Sequence, residues 1–262
     1  GQESLQYFLS FGKVGLLGIV VVGILHGLLG GIILQLGSHY YAESHIDVLE
    51  EITKKPVVVF MDFCLLLNCF LMGFVMIAGA GSNLGQQFNL PTWVGALICT
   101  VLIIVVGMMD FNKVTQVIGA FTPLVIIFTI IGAIHTISTA NMDWQTLDQI
   151  GKTLDSPFSN VGISTLNYFG MCMISGISMA FVLGGSRTDS SEAGKGGMAG
   201  GVLAGSLTFF VGFILFLSLD KVKDADIPMQ IVLDNVHPIM GVLMSIIIFG
   251  MIFNTAISPV SY

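Results

Sequence analysis

The sequence predicts an all-α polytopic membrane protein, and three of its features lead to that fold class. Charged residues make up only 10 % of the chain, against about 25 % in soluble domains, and the mean hydropathy is +0.91. Uncharged stretches of about 20 residues recur along it, each long enough to cross a hydrocarbon core roughly 30 Å thick. The strict alternation of apolar and polar residues that porin strands show is absent, which favours a helical bundle over a barrel.

Seven such apolar spans follow one another, and Asp62 is the only charged residue inside them. In order, the spans are 14–36, 57–80, 92–109, 114–136, 163–184, 198–219 and 238–260. The four cysteines all fall within spans, without a CxxC spacing, and are expected to be small apolar packing residues. We therefore expect each span to be a helix that crosses a lipid bilayer.

Part of the sequence recurs at an offset of 182 residues. GKVGLLGIV, which begins at Gly12, and GKGGMAGGV, which begins at Gly194, share the pattern Gly-Lys-x-Gly-x-x-Gly-x-Val. Two further matches hold at the same offset, Gly23 with Gly205 and Pro56 with Pro238. Five helix starts separate the copies, so the second copy is expected to cross the membrane in the opposite direction. The alternative is that two glycine-rich helices match by chance.

An inverted repeat of about five helices is typical of secondary transporters, whose substrate sites lie near the bilayer midplane. The repeat predicts a single transmembrane domain. Its first copy, 1–136, lacks its start, its second copy, 163–262, lacks its last two helices, and a loop, 137–162, connects them. The opening run GQESLQYFLSF is then the second half of a helix. The chain is expected to be a fragment, truncated at both ends, of a protein with about ten helices.

Three stretches of the sequence are distinctive: GQESLQYFLSFG at the start, MIAGAGSNLGQQFNLPTWVGA at 76–96 and NTAISPVSY at the end. They resemble the YkvI-type membrane proteins, a bacterial family placed in the amino acid–polyamine–organocation (APC) superfamily. The first helix of that family carries a GAGFASGQE-like stretch, of which only Gly1, Gln2 and Glu3 are present. The resemblance implies a LeuT-like inverted-repeat helical bundle, with the second half of helix 1 through helix 8 present. It also implies a multi-pass protein of the bacterial cell membrane.

The span 163–184 holds most of the candidate substrate-binding residues. Gly170, Ser175 and Gly176 interrupt its middle, and a broken helix in a membrane offers free backbone groups to a carboxylate or a cation. Tyr168 and Phe169, just before, are placed to stack on a ligand or to gate it. Alternatively, glycine and serine simply allow tight helix packing here.

Glu3, Gly1 and Asn68 complete the candidate substrate site. A carboxylate within a helical bundle is by default a functional candidate, so Glu3 is expected to pair with a cation, a substrate amine or a proton. Alternatively, it is a solvated residue at the mouth of a cavity, or an acid that complements the dipole at a helix N-terminus. Asn68 lies nearer mid-membrane and is expected either to reach the substrate or to join two helices.

Thr255 and Ser258 are spaced i, i+3, so their hydroxyl groups share one helix face. By analogy with LeuT-type transporters, they and the carbonyls around Gly1 form a hypothetical sodium site; alternatively, the hydroxyls bond to their own backbone. Asp62 is expected to pair with Lys54 or Lys55; alternatively, it caps a cytoplasmic pathway. His26 is expected to be a neutral packing residue or, alternatively, a proton relay.

These features favour a secondary active transporter of a small solute, an amino acid or a related amine, that works by alternating access with sodium or proton coupling. The alternative is a membrane receptor on the same fold that binds a ligand without transporting it. A channel is disfavoured because no ring of charge is present. Neither a nucleophile constellation nor a P-loop occurs, so we expect no enzyme, no catalytic residues, no cofactor other than sodium and no nucleic-acid partner. The oligomeric state stays open.

Overall fold

The computed structural model describes residues 1–107, 121–139 and 143–257, and nearly all of them are helical. These ranges contain twelve α-helices and one 3-10 helix, Leu9–Phe11. The α-helices are α1 (Gln2–Tyr7), α2 (Lys13–His39), α3 (His45–Ile52), α4 (Lys55–Phe88), α5 (Thr92–Gly107), α6 (Phe121–Thr139), α7 (Trp144–Lys152), α8 (Val161–Gly185), α9 (Ser190–Leu217), α10 (Leu219–Val222), α11 (Pro228–Asp234) and α12 (Pro238–Ile257).

The seven predicted spans coincide with seven of these helices over the described residues. Four helices, α2, α4, α8 and α9, are long and apolar enough to cross a membrane. Shorter apolar helices, Thr92–Val105, Pro123–Thr139 and Pro238–Phe253, lie within α5, α6 and α12. Only 11 % of the most apolar window of α4 is buried within the chain, as expected of a surface that meets lipid rather than water. The chain is a helical multi-pass membrane protein.

The opening run GQESLQYFLSF is not one continuous helix. α1 ends at Tyr7, and the 3-10 helix Leu9–Phe11 follows it. Gly12 then takes φ 62°, a left-handed backbone conformation that glycine adopts without strain, and α2 begins at the next residue. The chain therefore turns before α2, and the predicted half-helix is divided.

Two other predictions differ from the structure. The predicted break within 163–184 is wrong, since α8 runs without interruption from Val161 to Gly185. Glycine in a helix costs only about 1 kcal/mol relative to alanine, and it keeps its backbone N–H for the helical hydrogen bonds. The predicted connecting loop 137–162 contains α7, because Asp143 caps that helix by accepting from the backbone N–H groups of Gln145 and Thr146.

The chain divides into two compact units, each described here by itself. The first unit comprises residues 1–5, 70–154 and 213–262, and the second comprises 6–69 and 155–212. In the first unit, α12 packs against α5, α6 and α11, while α10 packs against α7 and α11. Trp144 at the start of α7 contacts the rings of Phe213 and Phe216, with centroids 6.2 and 5.5 Å away.

In the second unit, α2 and α8 are parallel and closely packed. Gly18 lies beside Thr165 and Gly37 lies beside Phe181, so the residue numbers of the contacting pairs increase along both helices. A β-carbon at Gly18 would lie 2.6 Å from Thr165 Oγ1, so a side chain there would force the helices apart. Two apolar clusters fill the interface, one around Phe8, Ile19, Val22 and Tyr168 and one around Ile33, Ala42, Val48 and Phe181.

α2 also crosses α9, in the antiparallel sense. Gly23 faces Gly205, and a β-carbon on Gly23 would lie 3.2 Å from Gly205 Cα. Further along α2, Gly30 faces Gly197, which comes earlier in α9. As the residue number increases along α2, the number of the facing residue in α9 decreases, so the two helices run in opposite directions.

The stability of the N-terminal turn of α3 should depend on pH because of the Asp47 carboxylate. The backbone N–H groups of Ser44 and Glu43 donate to Asp47 Oδ2 at 2.7 and 2.9 Å and hold the pKa of this carboxyl below its ordinary value. A lowered folded-state pKa means that the stabilisation is complete above about pH 4, the unfolded value, and is lost as the pH falls through the folded value. Hydrogen exchange of the α3 amides, corrected for intrinsic rates, should therefore accelerate below about pH 4. Asp47→Asn should remove this dependence.

Candidate functional site

The structure brings two of the predicted site residues together. Asn68 Nδ2, on α4, donates a hydrogen bond to Ser175 Oγ, on α8, over 3.2 Å. The Ser175 hydroxyl in turn donates to the carbonyl of Met171, one turn earlier, over 2.8 Å. Both side chains lie in predominantly apolar helices, where hydrogen bonds between side chains help to hold neighbouring helices together. Asn68 and Ser175 are thus a polar contact between α4 and α8 within the second unit.

Tyr168 packs among other aromatic rings rather than lying open to a ligand. Its side chain is buried, and its ring meets Phe8 and Tyr7 edge-on, with centroids 5.0 and 5.3 Å away. The hydroxyl of Ser164, on the same helix, donates to the carbonyl of Tyr7 over 2.5 Å. This part of α8 therefore fixes the turn that precedes α2, a role that edge-to-face aromatic contacts serve well.

Phe169 contacts the ring of His26, with centroids 5.2 Å apart and planes at 86°. His26 Nδ1 lies 2.9 Å from the carbonyl of Val22 on the same helix, so the ring donates back to its own backbone. This arrangement agrees with a packing histidine.

Gly170 and Gly176 are open positions of α8 that come before and after Ser175 in the sequence. All three residues are exposed, and a β-carbon added at either glycine would meet no atom within 4 Å. Since the helix is continuous there, these glycines do not supply the free backbone groups that a break would have offered.

Gly1 and Glu3 belong to the first unit. A β-carbon on Gly1 would lie 3.6 Å from Pro228 Cδ, so Gly1 lies against the start of α11. The carbonyl of Gly1 accepts from the backbone N–H of Ser4 over 3.0 Å. Glu3 is exposed, which agrees with the solvated alternative for this carboxylate.

The predicted sodium site is described only in part. Thr255 Oγ1 donates to the carbonyl of Met251 over 3.0 Å, which is the backbone bond that the sequence left as the alternative. Ser258 lies outside the described residues, so the pair stays a prediction.

The predicted pairing of Asp62 with Lys54 or Lys55 is wrong. Asp62 Oδ1 lies 3.0 Å from His45 Nε2, on α3, and neither Lys54 nor Lys55 is its partner. His45 Nδ1 lies 2.6 Å from Ser178 Oγ, on α8. Sequence reasoning identified Asp62 as the one charge within the spans but gave His45 no partner, because the contact depends on how α3 folds back onto α4 and α8.

An amide network in the first unit was also missed. Gln86 Oε1 accepts from the backbone N–H of Ile227 at 2.9 Å, and Gln86 Nε2 donates to the Ile227 carbonyl and to Gln230 Oε1 at 3.1 and 2.8 Å. Gln230 Nε2 donates to Gln87 Oε1 over 2.5 Å. The network anchors α11 to the end of α4. The adjacent glutamines in GQQF were the only signal in the sequence.

No family model matches the chain. It is similar to a curated protein of Bacillus subtilis (strain 168), the uncharacterized membrane protein YkvI, with 27 % identity over 270 residues. The similarity covers 98 % of this chain and 72 % of that protein. Together with the helical membrane architecture, this similarity over nearly the whole chain supports a YkvI-like membrane family.

Proposed function

We propose that the protein is a secondary active transporter of a small solute, an amino acid or a related amine, which works by alternating access in the bacterial cell membrane. The fold proposed for it is the LeuT-like inverted repeat of the APC superfamily. Coupling to sodium or to protons completes the proposal, in which no enzymatic step takes part.

The observation that carries the proposal is the contact between Gly23 and Gly205. These two residues are equivalent positions of the sequence repeat, and α2 and α9 cross there in opposite directions. A residue contacts its own counterpart when the two copies are related by a two-fold axis at that point. An axis of this kind is what an inverted repeat requires, and inverted repeats are typical of secondary transporters.

The packing on both sides of the crossing supports the same relationship. At the repeat offset, the counterpart of Gly27 is position 209, and the counterpart of Gly201 is Ile19. Gly27 lies against Gly201, while Phe209 packs against the cluster that contains Ile19. The position equivalent to Gly27 therefore lies near the position equivalent to Gly201, although the residue types differ.

The polar contact between Asn68 and Ser175 supports a solute-binding position within the second unit. An amide and a hydroxyl together can hydrogen-bond the carboxylate or the amine of a small solute. Such a pair is also compatible with plain helix association, so its variants form part of the test.

The test uses the protein expressed from its complete reading frame and purified in detergent. Thermal unfolding is recorded with each of the twenty amino acids and with ethylamine, putrescine and spermidine, in sodium or potassium, at pH 5.5 and 7.5. A solute that binds only the folded state stabilises it by about 2.7 kcal/mol at one hundred times Kd. Each solute that raises Tm is then offered to proteoliposomes, where the transporter must accumulate it against its gradient.

Asn68→Ala and Ser175→Ala should each weaken solute binding about five- to tenfold, the loss expected for one hydrogen bond of roughly 1 kcal/mol. Ser206→Ala is the matched control, because this exposed serine of α9 also donates to the carbonyl four residues earlier. Binding without accumulation would replace the transporter by a receptor, and the absence of any thermal shift would contradict the choice of solutes.

A further inference from the structure

Three side chains from three helices meet around His45. Its ring contacts Asp62 Oδ1 through Nε2 and Ser178 Oγ through Nδ1, at 3.0 and 2.6 Å. The side chains of His45 and Asp62 are 17 % and 32 % exposed, so the ring is largely enclosed while the carboxylate keeps some access. We call these three residues the His45 cluster. Both ring nitrogens have a partner, which is the arrangement that fixes the protonation pattern of a histidine.

The positions of the protons follow from the partners. An ionised Asp62 can only accept, so the neutral ring carries its hydrogen on Nε2 and donates it to Oδ1. Nδ1 then holds a lone pair and accepts from the Ser178 hydroxyl. In this state the cluster has a net charge of −1, from the carboxylate alone.

A second proton can bind to Nδ1 without moving any heavy atom. The ring then donates from both nitrogens, Ser178 Oγ accepts instead of donating, and its own hydrogen rotates to another acceptor. The net charge of the cluster rises from −1 to 0, because the imidazolium pairs with the carboxylate. Asp62 is the only charged residue in the apolar spans, and an unneutralised carboxylate there is costly. Proton uptake removes that charge.

No other charged side chain of the surrounding helices bonds to the ring. α8 carries no charged residue. The charged or titratable groups nearby, from the end of α2 to the first turns of α4, are His39, Tyr40, Tyr41, Glu43, Asp47, Glu50, Glu51, Lys54, Lys55 and Cys64. Asp47 is held by the backbone of Glu43 and Ser44. Asp47 also senses the charge of the His45 ring through space, and Asp62 is the carboxylate that bonds to the ring.

Nucleophilic catalysis by Ser178 is disfavoured, although serine, histidine and aspartate are in contact. Ser178 lies within the continuous helix α8, where backbone N–H groups are used in helical hydrogen bonds. The helix therefore offers no pair of free amides to stabilise an oxyanion next to Ser178. Metal binding is disfavoured as well, since no group of three metal-ligating side chains occurs among the described residues.

We propose that the His45 cluster is a proton-binding site, with Nδ1 of His45 as the atom that takes up the proton. Ser178 and Ser175 are one helical turn apart on α8, about 4.5 Å along its axis, so the site adjoins the polar contact with Asn68. Its use for coupling rests on the proposed transport function: a proton bound here changes a hydrogen bond of α8 one turn from the solute-binding position.

The test is independent of any solute. Protein labelled with nitrogen-15 in its histidines is reconstituted into liposomes, and nitrogen NMR spectra are recorded from pH 4.5 to 9. His45→Gln assigns the His45 signals; if that variant does not fold, the shift of the Nδ1 signal in Ser178→Ala assigns them instead. The neutral ring should show a protonated Nε2 and an unprotonated Nδ1, and both should be protonated on acidification.

Asp62→Asn, which keeps the shape of the side chain, removes the negative charge that pairs with the protonated ring and should therefore weaken proton binding at Nδ1. His39→Gln is the control, because this exposed histidine ends α2 and has no carboxylate partner among the residues the structure describes. It should leave the titration of His45 unchanged.

Three results would overturn the site. They are a His45 ring that keeps one protonation state throughout, a proton affinity unchanged by Asp62→Asn, or covalent labelling of Ser178 by a fluorophosphonate. The NMR titration tests the proton site, and the uptake assay tests the proposed transport function. If His45 takes up a proton but the protein accumulates no solute, only the transport proposal is contradicted. If the protein accumulates a solute but His45 keeps one protonation state, only the proton site is contradicted.

Discussion

Replacing Gly201 by alanine is expected to destabilise the protein strongly, whereas the same change at Gly200 is not. A β-carbon on Gly201 would overlap the carbonyl oxygen of His26 and lie 2.7 Å from the backbone nitrogen of Gly27. Both are backbone atoms of α2, which cannot rotate away as a side chain can. Overpacking of this kind costs about 1–3 kcal/mol, and more where the helices must separate. Thermal unfolding in detergent measures the loss.

Gly200 provides the matched control, since a β-carbon there meets no atom within 4 Å. Gly200→Ala should leave stability unchanged or raise it by up to about 1 kcal/mol, because alanine favours the helix. The neighbouring pair repeats the test one turn earlier in α9. Gly197 faces the backbone of Gly30, while Gly196 is open. Equal stability of Gly201→Ala and Gly200→Ala would mean that α2 and α9 do not pack as described.

The crossing of α2 and α9 also shows which features of the fold can be predicted from the sequence. The offset of 182 residues identifies Gly23 and Gly205 as equivalent positions, and five intervening helix starts predict that their helices run in opposite directions. Contact between the two glycines does not follow, because it depends on how each helix is rotated about its axis. Hydropathy determines where the helices lie along the chain, since their lengths must match a bilayer.

The break predicted in α8 illustrates where such reasoning fails. Gly170 and Gly176 lower helix propensity, but only by about 1 kcal/mol each, which other interactions easily exceed. The Ser175 hydroxyl bonds back to the Met171 carbonyl and also accepts from Asn68, so it is satisfied without any break. Composition alone does not decide between a broken helix and a continuous one.

The His45 cluster was beyond prediction for a different reason. Its members are separated by 17 and 133 residues, and nothing in their local sequences refers to one another. Lys54 and Lys55 were the natural partners for Asp62 by proximity in the chain. The contact depends on the fold of the segment from Ser38 to Ile52, whose Val48 is buried in the second apolar cluster and so brings α3 against α8.

Removal of the Gln86 side chain is the second change expected to have a large effect. Gln86→Ala deletes three hydrogen bonds, to the N–H and the carbonyl of Ile227 and to Gln230 Oε1. The Ile227 carbonyl keeps its bond from the Gln230 amide, but the other two groups lose a partner. Gln230 is only 1 % exposed, so water does not readily replace the lost bond. At about 1–3 kcal/mol for each of these two groups, we expect a total loss of roughly 2–6 kcal/mol.

The region in which hydrogen exchange accelerates distinguishes the loss of these hydrogen bonds from a general loss of packing. Gln87→Ala is the matched control, because it removes a similar side chain from the next position but only one hydrogen bond, from Gln230 Nε2. Hydrogen exchange should accelerate first in α11 and at Ile227 in Gln86→Ala, and much less in Gln87→Ala. If both variants exchange alike in α11, the helix is held by the apolar contacts of Val232 and Leu233 with Gly132 of α6 rather than by the amide network.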